Sequence, residues 1–307
     1  MASDLPMPRP FPHEPPGLKH DMVLAQASTR EALGRQIARA HRGASAPLIM
    51  GILNATPDSF SDGGVYVQEA SAAQRAMTLA QEGAAIIDIG GESTRPDSSP
   101  VPLETERARI SAILEASVKT GCAVSCDTYK PDIARYAVKA GAVMINDVGG
   151  TAIDPAMVAV AAETGAFLVI MHGLRETAEG DVTDALSIFF EKAINRARSA
   201  GVASERIILD PGIGFNKSDA QNIGCFDALP TLRQRFDVPL LVGISRKSML
   251  GRLTGRDVQG RLPASLAAAT IAARQGAAII RVHDVAPHVD AMRVTHALSA
   301  VTSGRRG

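Results

Sequence analysis

Short apolar runs recur along the chain, and each ends abruptly on a polar residue. From Pro47 onward they read LIMGIL, AAIIDIG, CAVSCD, AVMIND, AFLVIMH, RIILD, PLLVGIS and AAIIRVHD, eight in all. A loop and an alanine-rich stretch of helical character follow each one. The runs are continuous rather than alternating, so both faces of each strand are buried, as in a parallel sheet covered by helices. Four runs are entered through the same device, QEGA, KAGA, ETGA and RQGA. Gly83, Gly141, Gly165 and Gly276 then fall just past a helix C-terminus, where left-handed backbone favours glycine. Eight β-then-α units of about 20–40 residues each predict a (β/α)8 TIM barrel. The alternative is an open doubly wound sheet, but no GxGxxG follows the first strand to support a dinucleotide-binding version of it.

The barrel is expected over residues 47–302, with a short N-terminal extension over 1–46 and a tail over 303–307. The prolines of MASDLPMPRPFPHEPPG block helix and regular strand pairing, so the start of the extension is expected to be partly disordered. Within it, STREALGRQIARAHR predicts a short helix over about 28–42, with Ser28 or Thr29 as N-cap.

Composition narrows the function. Hydrophobic residues make up 46% of the 307, enough for a large core. The 32 basic residues balance the 32 acidic ones, which argues against a nucleic-acid-coating protein but leaves room for a local anion site. No apolar run approaches the roughly 18 residues of a membrane span, and the N-terminus has no hydrophobic signal core. The three cysteines form no CxxC pair, and Cys122 and Cys126 read as small buried side chains. An odd, unpaired count suits a reducing compartment, so a cytoplasmic location is expected.

In a barrel of this kind the active site forms at the C-terminal ends of the strands. The polar residues that end the runs then point into a shared cup. Asn54 is the first, followed by Glu92, Asp127, Asn146, His172, Asp210, Ser245, Lys247, Arg281 and His283. Asp127, Asn146 and Asp210 form a set of acids and an amide, suited to the N–H/NH2 edge of a planar heterocycle such as a pterin or guanine. Phe215, in the Pro-Gly-Ile-Gly-Phe loop after Asp210, is placed to cover a ring face. Arg281 and His283 share one strand face, and Arg281 offers a fixed fork of donors for phosphate oxygens. Lys247 and Ser248 open a helix whose free N–H groups also favour an anion. Arg95, in ESTRP, is a further cation at the rim, whereas Arg246 reads as a solvated charge. A heterocycle carrying a diphosphate fits both sets. Diphosphate usually travels with Mg²⁺, which prefers oxygen ligands, and Asn54, Asp58 and Asp62 lie on the loop that Gly63 and Gly64 would let close over the site.

Eight motifs now stand in order: IMGILNATPDSFSDGG, IIDIGGESTRP, SCDTYKP, INDVGG, MH, LDPGIGF, LLVGISRKS and IIRVHDV. Over residues 47 to about 300 the chain resembles the dihydropteroate synthases of folate biosynthesis. The resemblance implies that 6-hydroxymethyl-7,8-dihydropterin diphosphate condenses with p-aminobenzoate to give 7,8-dihydropteroate and diphosphate. It also implies Mg²⁺, a homodimer and sulfonamide sensitivity. Carried onto this sequence, Asp127, Asn146, Asp210 and Lys247 bind the pterin, with Met171 and Phe215 lining its pocket. Arg281, His283 and, through the metal, Asn54 hold the diphosphate. The TPDSFSD and STRP loops, with Thr94 and Arg95, complete the p-aminobenzoate site, and Ser248 meets its carboxylate. Lys247, Arg281, His283 and Asp62 are the expected catalytic residues. Four positions depart from the pattern: NATPD for NVTPD, Asp97 where STRPG has glycine, Asn216 where GFGK has glycine, and Ala264 where RLxGSLA has glycine. The alternatives are a pterin-binding methyltransferase-type barrel, which lacks a diphosphate site, and an inactive pterin-binding paralogue.

Overall fold

A computed structural model describes residues 20–54, 65–93, 99–149, 154–173 and 181–304. Its eight strands are β1 (Leu48–Asn54), β2 (Ile86–Gly90), β3 (Ala123–Asp127), β4 (Met144–Asp147), β5 (Phe167–Met171), β6 (Ile207–Asp210), β7 (Leu240–Gly243) and β8 (Ala277–Val282). They close in sequence order into a barrel, β8 pairing with β1, and every pairing is parallel. The helices between them are α2 (Val65–Gln81), α3 (Leu103–Lys119), α4 (Pro131–Lys139), α5 (Pro155–Thr164), α6 (Val182–Ser199) and α7 (Asp219–Phe236). After β7 come the seven-residue α8 (Ser248–Thr254) and α9 (Leu262–Arg274), and α10 (Val285–Gly304) follows β8. This is the (β/α)8 barrel expected from the eight apolar runs. Among the described residues no helix is long and apolar enough to cross a membrane.

Local chemistry explains the element ends. Asp154 caps α5 by accepting from the Ala156 N–H at 2.8 Å, with Pro155 in the first turn. Ser218 and Gln221 form a reciprocal capping box on α7, the arrangement that satisfies two orphan N–H groups at once. Gly83, Gly141, Gly165 and Gly276 all take positive φ, 96°, 117°, 66° and 102°, as their places after helices require.

Alternation along each strand separates two apolar clusters. Outward residues such as Ile87, Val124, Ile145, Leu168, Leu209, Val242 and Ile280 pack against the helices. Inward residues Met50, Ile86, Ala123, Met144, Phe167, Ile208, Leu241 and Ile279 fill the lower barrel. Helix α1 (His20–His41) joins this inner cluster through Leu33, Ile37 and Ala40. It is longer than the helix expected over 28–42, and neither Ser28 nor Thr29 is its N-cap. Thr29 lies within it and donates to the Ala25 carbonyl at 2.9 Å, satisfying its hydroxyl along the helix instead of at an end. Polar ties fix α1 across the barrel floor. Gln26 donates to Val138 O and Ala142 O, each at 2.8 Å, and Arg30 to Thr164 O at 2.9 Å. At the other end Arg233 donates to His41 O at 2.6 Å.

Because Leu33 is only 2% exposed and α1 closes the inner cluster, Leu33→Ala should leave a cavity in the barrel floor and destabilise the protein by about 2–5 kcal/mol. Urea unfolding with an unchanged slope and a lower midpoint is the expected result. A loss well under 1 kcal/mol would mean that α1 does not belong to the cooperative core.

Candidate active site

Toward the C-terminal end of the barrel the inward face of six runs changes from apolar to polar, while that of β5 stays apolar through Met171. The series run Met50–Ile52–Asn54, Ile86–Asp88–Gly90, Ala123–Ser125–Asp127, Met144–Asn146, Ile208–Asp210 and Ile279–Arg281–His283. Parallel register places Asp127 beside Asn146, Met171 beside Asp210 and Gly243 beside Arg281. Asp88 lies beside Ser125, one inward layer below the Gly90–Asp127 pair.

At the centre is Arg281. Its Nε donates to Asp88 Oδ2 at 2.6 Å and its Nη2 to Asp127 Oδ2 at 2.5 Å. Asn146 Nδ2 donates to the same Asp88 oxygen at 3.1 Å. Asp88 was not among the residues singled out from sequence. Its signal was a carboxylate inside an apolar run, on the inward face, where a buried charge demands a partner. Arg281 thus stands at the floor of the heterocycle cup as well as next to the rim.

The remaining donors and acceptors define what the cup can hold. Asp88 Oδ1, Asp127 Oδ1 and Asn146 Oδ1 are buried without a hydrogen-bond partner. Three converging acceptors call for a ligand edge rich in N–H groups, since leaving a buried acceptor unpaired is costly. Asp210 Oδ1 accepts from the Gly212 N–H at 2.7 Å. Met171 is buried, Phe215 is half-buried, and the Lys247 ammonium lies 4.1 Å from the Phe215 ring centroid. Asn216 has φ 48°. Asparagine tolerates the left-handed region better than most residues, so the departure from glycine leaves this loop intact. Lys217 supports the loop from behind, donating to His172 O at 2.9 Å and Gly212 O at 3.0 Å.

Burial sets the electrostatics. It pushes Asp127 up to about 7, with Asp88 and Glu106 adding to the rise against the pull of Arg281 and Lys247. Burial also raises Asp210. On Arg281 it opposes the charge, but Asp88 and Asp127 outweigh it and hold the guanidinium above its ordinary value. Burial and then the Arg281 charge lower Lys247 to about 8 and His283 to about 4. His283 is therefore neutral at pH 7 in the free protein. Its Nδ1 meets Ser245 Oγ at 3.2 Å.

Two of the ring residues serve the scaffold instead. Glu92 does not join the cup. It accepts from Lys130 Nζ at 2.5 Å and from the Tyr129 hydroxyl at 2.8 Å, and Lys130 also reaches Glu106 at 2.6 Å and the Val101 carbonyl at 2.6 Å. His172 is buried with its ring edge on Phe189, centroids 4.8 Å apart, and burial lowers it to about 4. Ser248 opens α8 and is exposed. Asp62, Thr94 and Arg95, with Asp58, Gly63, Gly64 and Asp97, lie outside the described residues. Among the described residues no three His, Cys, Asp or Glu side chains converge as a metal-ligand set. Asn54 is placed differently: a Cβ on Gly90 would stand 3.6 Å from Asn54 Oδ1 and 3.5 Å from Asp127 Cβ. That puts a hard amide oxygen at the mouth of the cup, a donor type that fits Mg²⁺ when substrate oxygens and water complete its shell.

A closed parallel barrel with buried acids, an amide and two cations around one cup is a barrel enzyme built to hold a planar, donor-rich heterocycle beside an anion. Comparison with known proteins agrees. The pattern of the pterin binding enzyme family matches residues 50–283. Dihydropteroate synthase of Escherichia coli K12 is 43% identical over 270 residues, covering 85% of this chain and 95% of that one. The Xanthomonas albilineans dihydropteroate synthase with 4-aminobenzoic acid is 42% identical with a TM-score of 0.78, covering 83% of this chain and 94% of that one. In complex with 7,8-dihydropteroate it gives 41%, 0.76, 83% and 94%. The chain belongs to the pterin-binding enzyme family and, within it, to the dihydropteroate synthases.

Lys130 is the testable element of the scaffold. Its side chain is 18% exposed and its partners Glu92 and Glu106 are 8% and 1% exposed. Lys130→Met strands two buried carboxylates and should cost about 3–5 kcal/mol at pH 7. Burial alone would raise Glu92, but its bonds to Lys130 and Tyr129 win and lower it below 4.5. A depressed carboxylate stabilises the fold above its unfolded value and loses that contribution as pH falls through the folded value. Urea stabilities of wild type and variant should therefore converge below about pH 4.5, the ordinary value; a constant gap down to pH 3 would show that the charge pairing is not the cause.

Proposed function

We propose that this protein condenses 6-hydroxymethyl-7,8-dihydropterin diphosphate with p-aminobenzoate, giving 7,8-dihydropteroate and diphosphate. The observation that carries the reading is the convergence of unpaired buried acceptors on Asp88, Asp127 and Asn146 beside Arg281 and Lys247. A pterin supplies the matching amino and ring N–H donors. Phe215 and Met171 cover its faces, and Lys247 reaches it from the Phe215 side. The TPDSFSD and STRP loops and Ser248 receive p-aminobenzoate, where a sulfonamide competes as its analogue.

The electron-rich dihydropterin stabilises positive charge on its methylene. The C–O bond to diphosphate breaks with its electron pair leaving on the diphosphate, the aryl amine nitrogen forms the new C–N bond, and the amine gives up one proton to the departing diphosphate or to water. No protein nucleophile is needed. Arg281 and the N–H of neutral His283 meet the charge that develops on the leaving oxygens, and the cup holds the methylene where the amine arrives. Asn54 would help to hold a Mg²⁺ ion, which would supply charge neutralisation on the diphosphate. We place the reaction in the cytoplasm, where the free cysteines Cys122, Cys126 and Cys225 stay reduced. We also propose a homodimer; Ile271 on α9 and Val294 and Leu298 on α10, each exposed by half or more, offer an apolar face for it.

Purified protein with both substrates and Mg²⁺ should turn over, which neither a methyltransferase-type barrel nor an inactive paralogue would do. Asp210→Ala should weaken pterin diphosphate binding roughly tenfold or more, the effect of about 1–3 kcal/mol from one lost partner. Unchanged affinity by calorimetry would remove Asp210 from the pocket. His283→Ala should weaken binding of the diphosphate substrate far more than that of 6-hydroxymethyl-dihydropterin, and an equal loss for both would contradict its assignment to the diphosphate.

A further inference from the structure

Arg246 reads from sequence as a solvated surface charge, yet its backbone has φ 57°. The turn from Ile244 to Lys247 closes with Lys247 N donating to Ile244 O at 3.3 Å. Positive φ at the third residue of such a turn belongs to glycine or asparagine, and an arginine there is strained. The strain is held by bonds from its backbone N–H, its carbonyl and two of its guanidinium nitrogens. Its N–H donates to Ser265 Oγ at 3.0 Å, and its carbonyl accepts from Arg261 Nη1 at 3.0 Å. Its guanidinium grips both oxygens of Asp284, Nε to Oδ2 at 2.9 Å and Nη2 to Oδ1 at 2.5 Å.

That fork joins two loops at the mouth of the barrel. On one side Arg246 is flanked by Ser245 and Lys247; on the other Asp284 follows His283 directly. The same two loops are laced a second time, because Ser245 Oγ meets both the His283 N–H and its Nδ1 at 3.2 Å. From α2, Arg75 donates to the His283 carbonyl at 3.1 Å. Bidentate arginine–carboxylate pairs fix orientation as well as distance. Lys247 faces the pterin cup through Phe215, and His283 faces the rim.

We propose that Arg246 is a positioning residue, and that its bidentate pair with Asp284 holds Lys247 and His283 at the spacing that joins the heterocycle site to the diphosphate site. It touches neither substrate; it sets where two groups that do can stand. A role confined to stability makes the opposite demand of this position, since glycine relieves the backbone strain.

The test rests on the synthase reading, so wild-type turnover with both substrates and Mg²⁺ is measured first and judges that reading by itself. Arg246→Gly, Asp284→Asn and the double variant are then compared for kcat, KM and melting temperature. The expected result is a melting temperature for Arg246→Gly within a few degrees of wild type. Its KM for the pterin diphosphate should rise about tenfold or more, and Asp284→Asn should do the same. The double variant should be no worse than either single change, as for two halves of one interaction. Arg246→Gly with wild-type kcat and KM would overturn the proposal. So would independent, additive losses in the double variant, or a fall in melting temperature with KM unchanged.

Discussion

Two carboxylates and one guanidinium share the middle of the barrel. Asp88 comes from β2, Asp127 from β3 and Arg281 from β8, and Asn146 from β4 completes the group. None of these charges is tolerable alone at that depth, because removing one partner leaves an uncompensated buried charge. The closure of the barrel is what allows the group to exist: residues from strands far apart in sequence meet only when β8 returns to β1. The cup above depends on this group, since Asp127 and Asn146 are aimed by the same bonds that neutralise it.

The charge count matters for the chemistry. With two acids facing one arginine, burial pushes Asp127 up to about 7 against the pull of Arg281, and the neighbouring Asp88 adds to the rise. A ligand edge that donates hydrogen bonds favours the ionised form, so binding and charge are coupled there. At the rim the logic reverses. Burial, aided by the positive charges of Arg281 and Arg246, lowers His283 to about 4, so in the proposed function it would meet a phosphate as an N–H donor until the phosphate itself raised its proton affinity. In the proposed function, floor and rim would recognise the two halves of the substrate by different electrostatic means.

Around this centre, rigidity is supplied by polar side chains that never enter the cup. Lys130 ties Glu92, Glu106 and the Val101 carbonyl together. Lys217 fills the turn after β6, where a Cβ on Gly212 would stand 1.9 Å from the His172 carbonyl oxygen, so the chain must be glycine there. Arg246 and Asp284 fasten the last two loops. These cations lie beside the substrate-facing residues in sequence and read alike in composition, but their hydrogen bonds run to protein.

The periodicity of the apolar runs determined the barrel, its eight strands and the glycines after helices, because those features rest on local backbone preference and on which faces are buried. It also placed Asn54, Asp127, Asn146, Asp210, Lys247, Arg281 and His283 at one end, since a strand's inward side repeats every second residue. What sequence left open is which polar residues face a ligand and which face one another. Asp88 was hidden inside its apolar run, Glu92 was misplaced in the ring, Arg246 passed for a surface charge, and α1 read as a short appendage although it closes the barrel floor. Each of these depends on a partner from a distant segment, Arg281 for Asp88, Lys130 for Glu92, Asp284 for Arg246 and the inner faces of the strands for α1. Pairing across the closed barrel is a property of distances in space, and only the tertiary structure decides it.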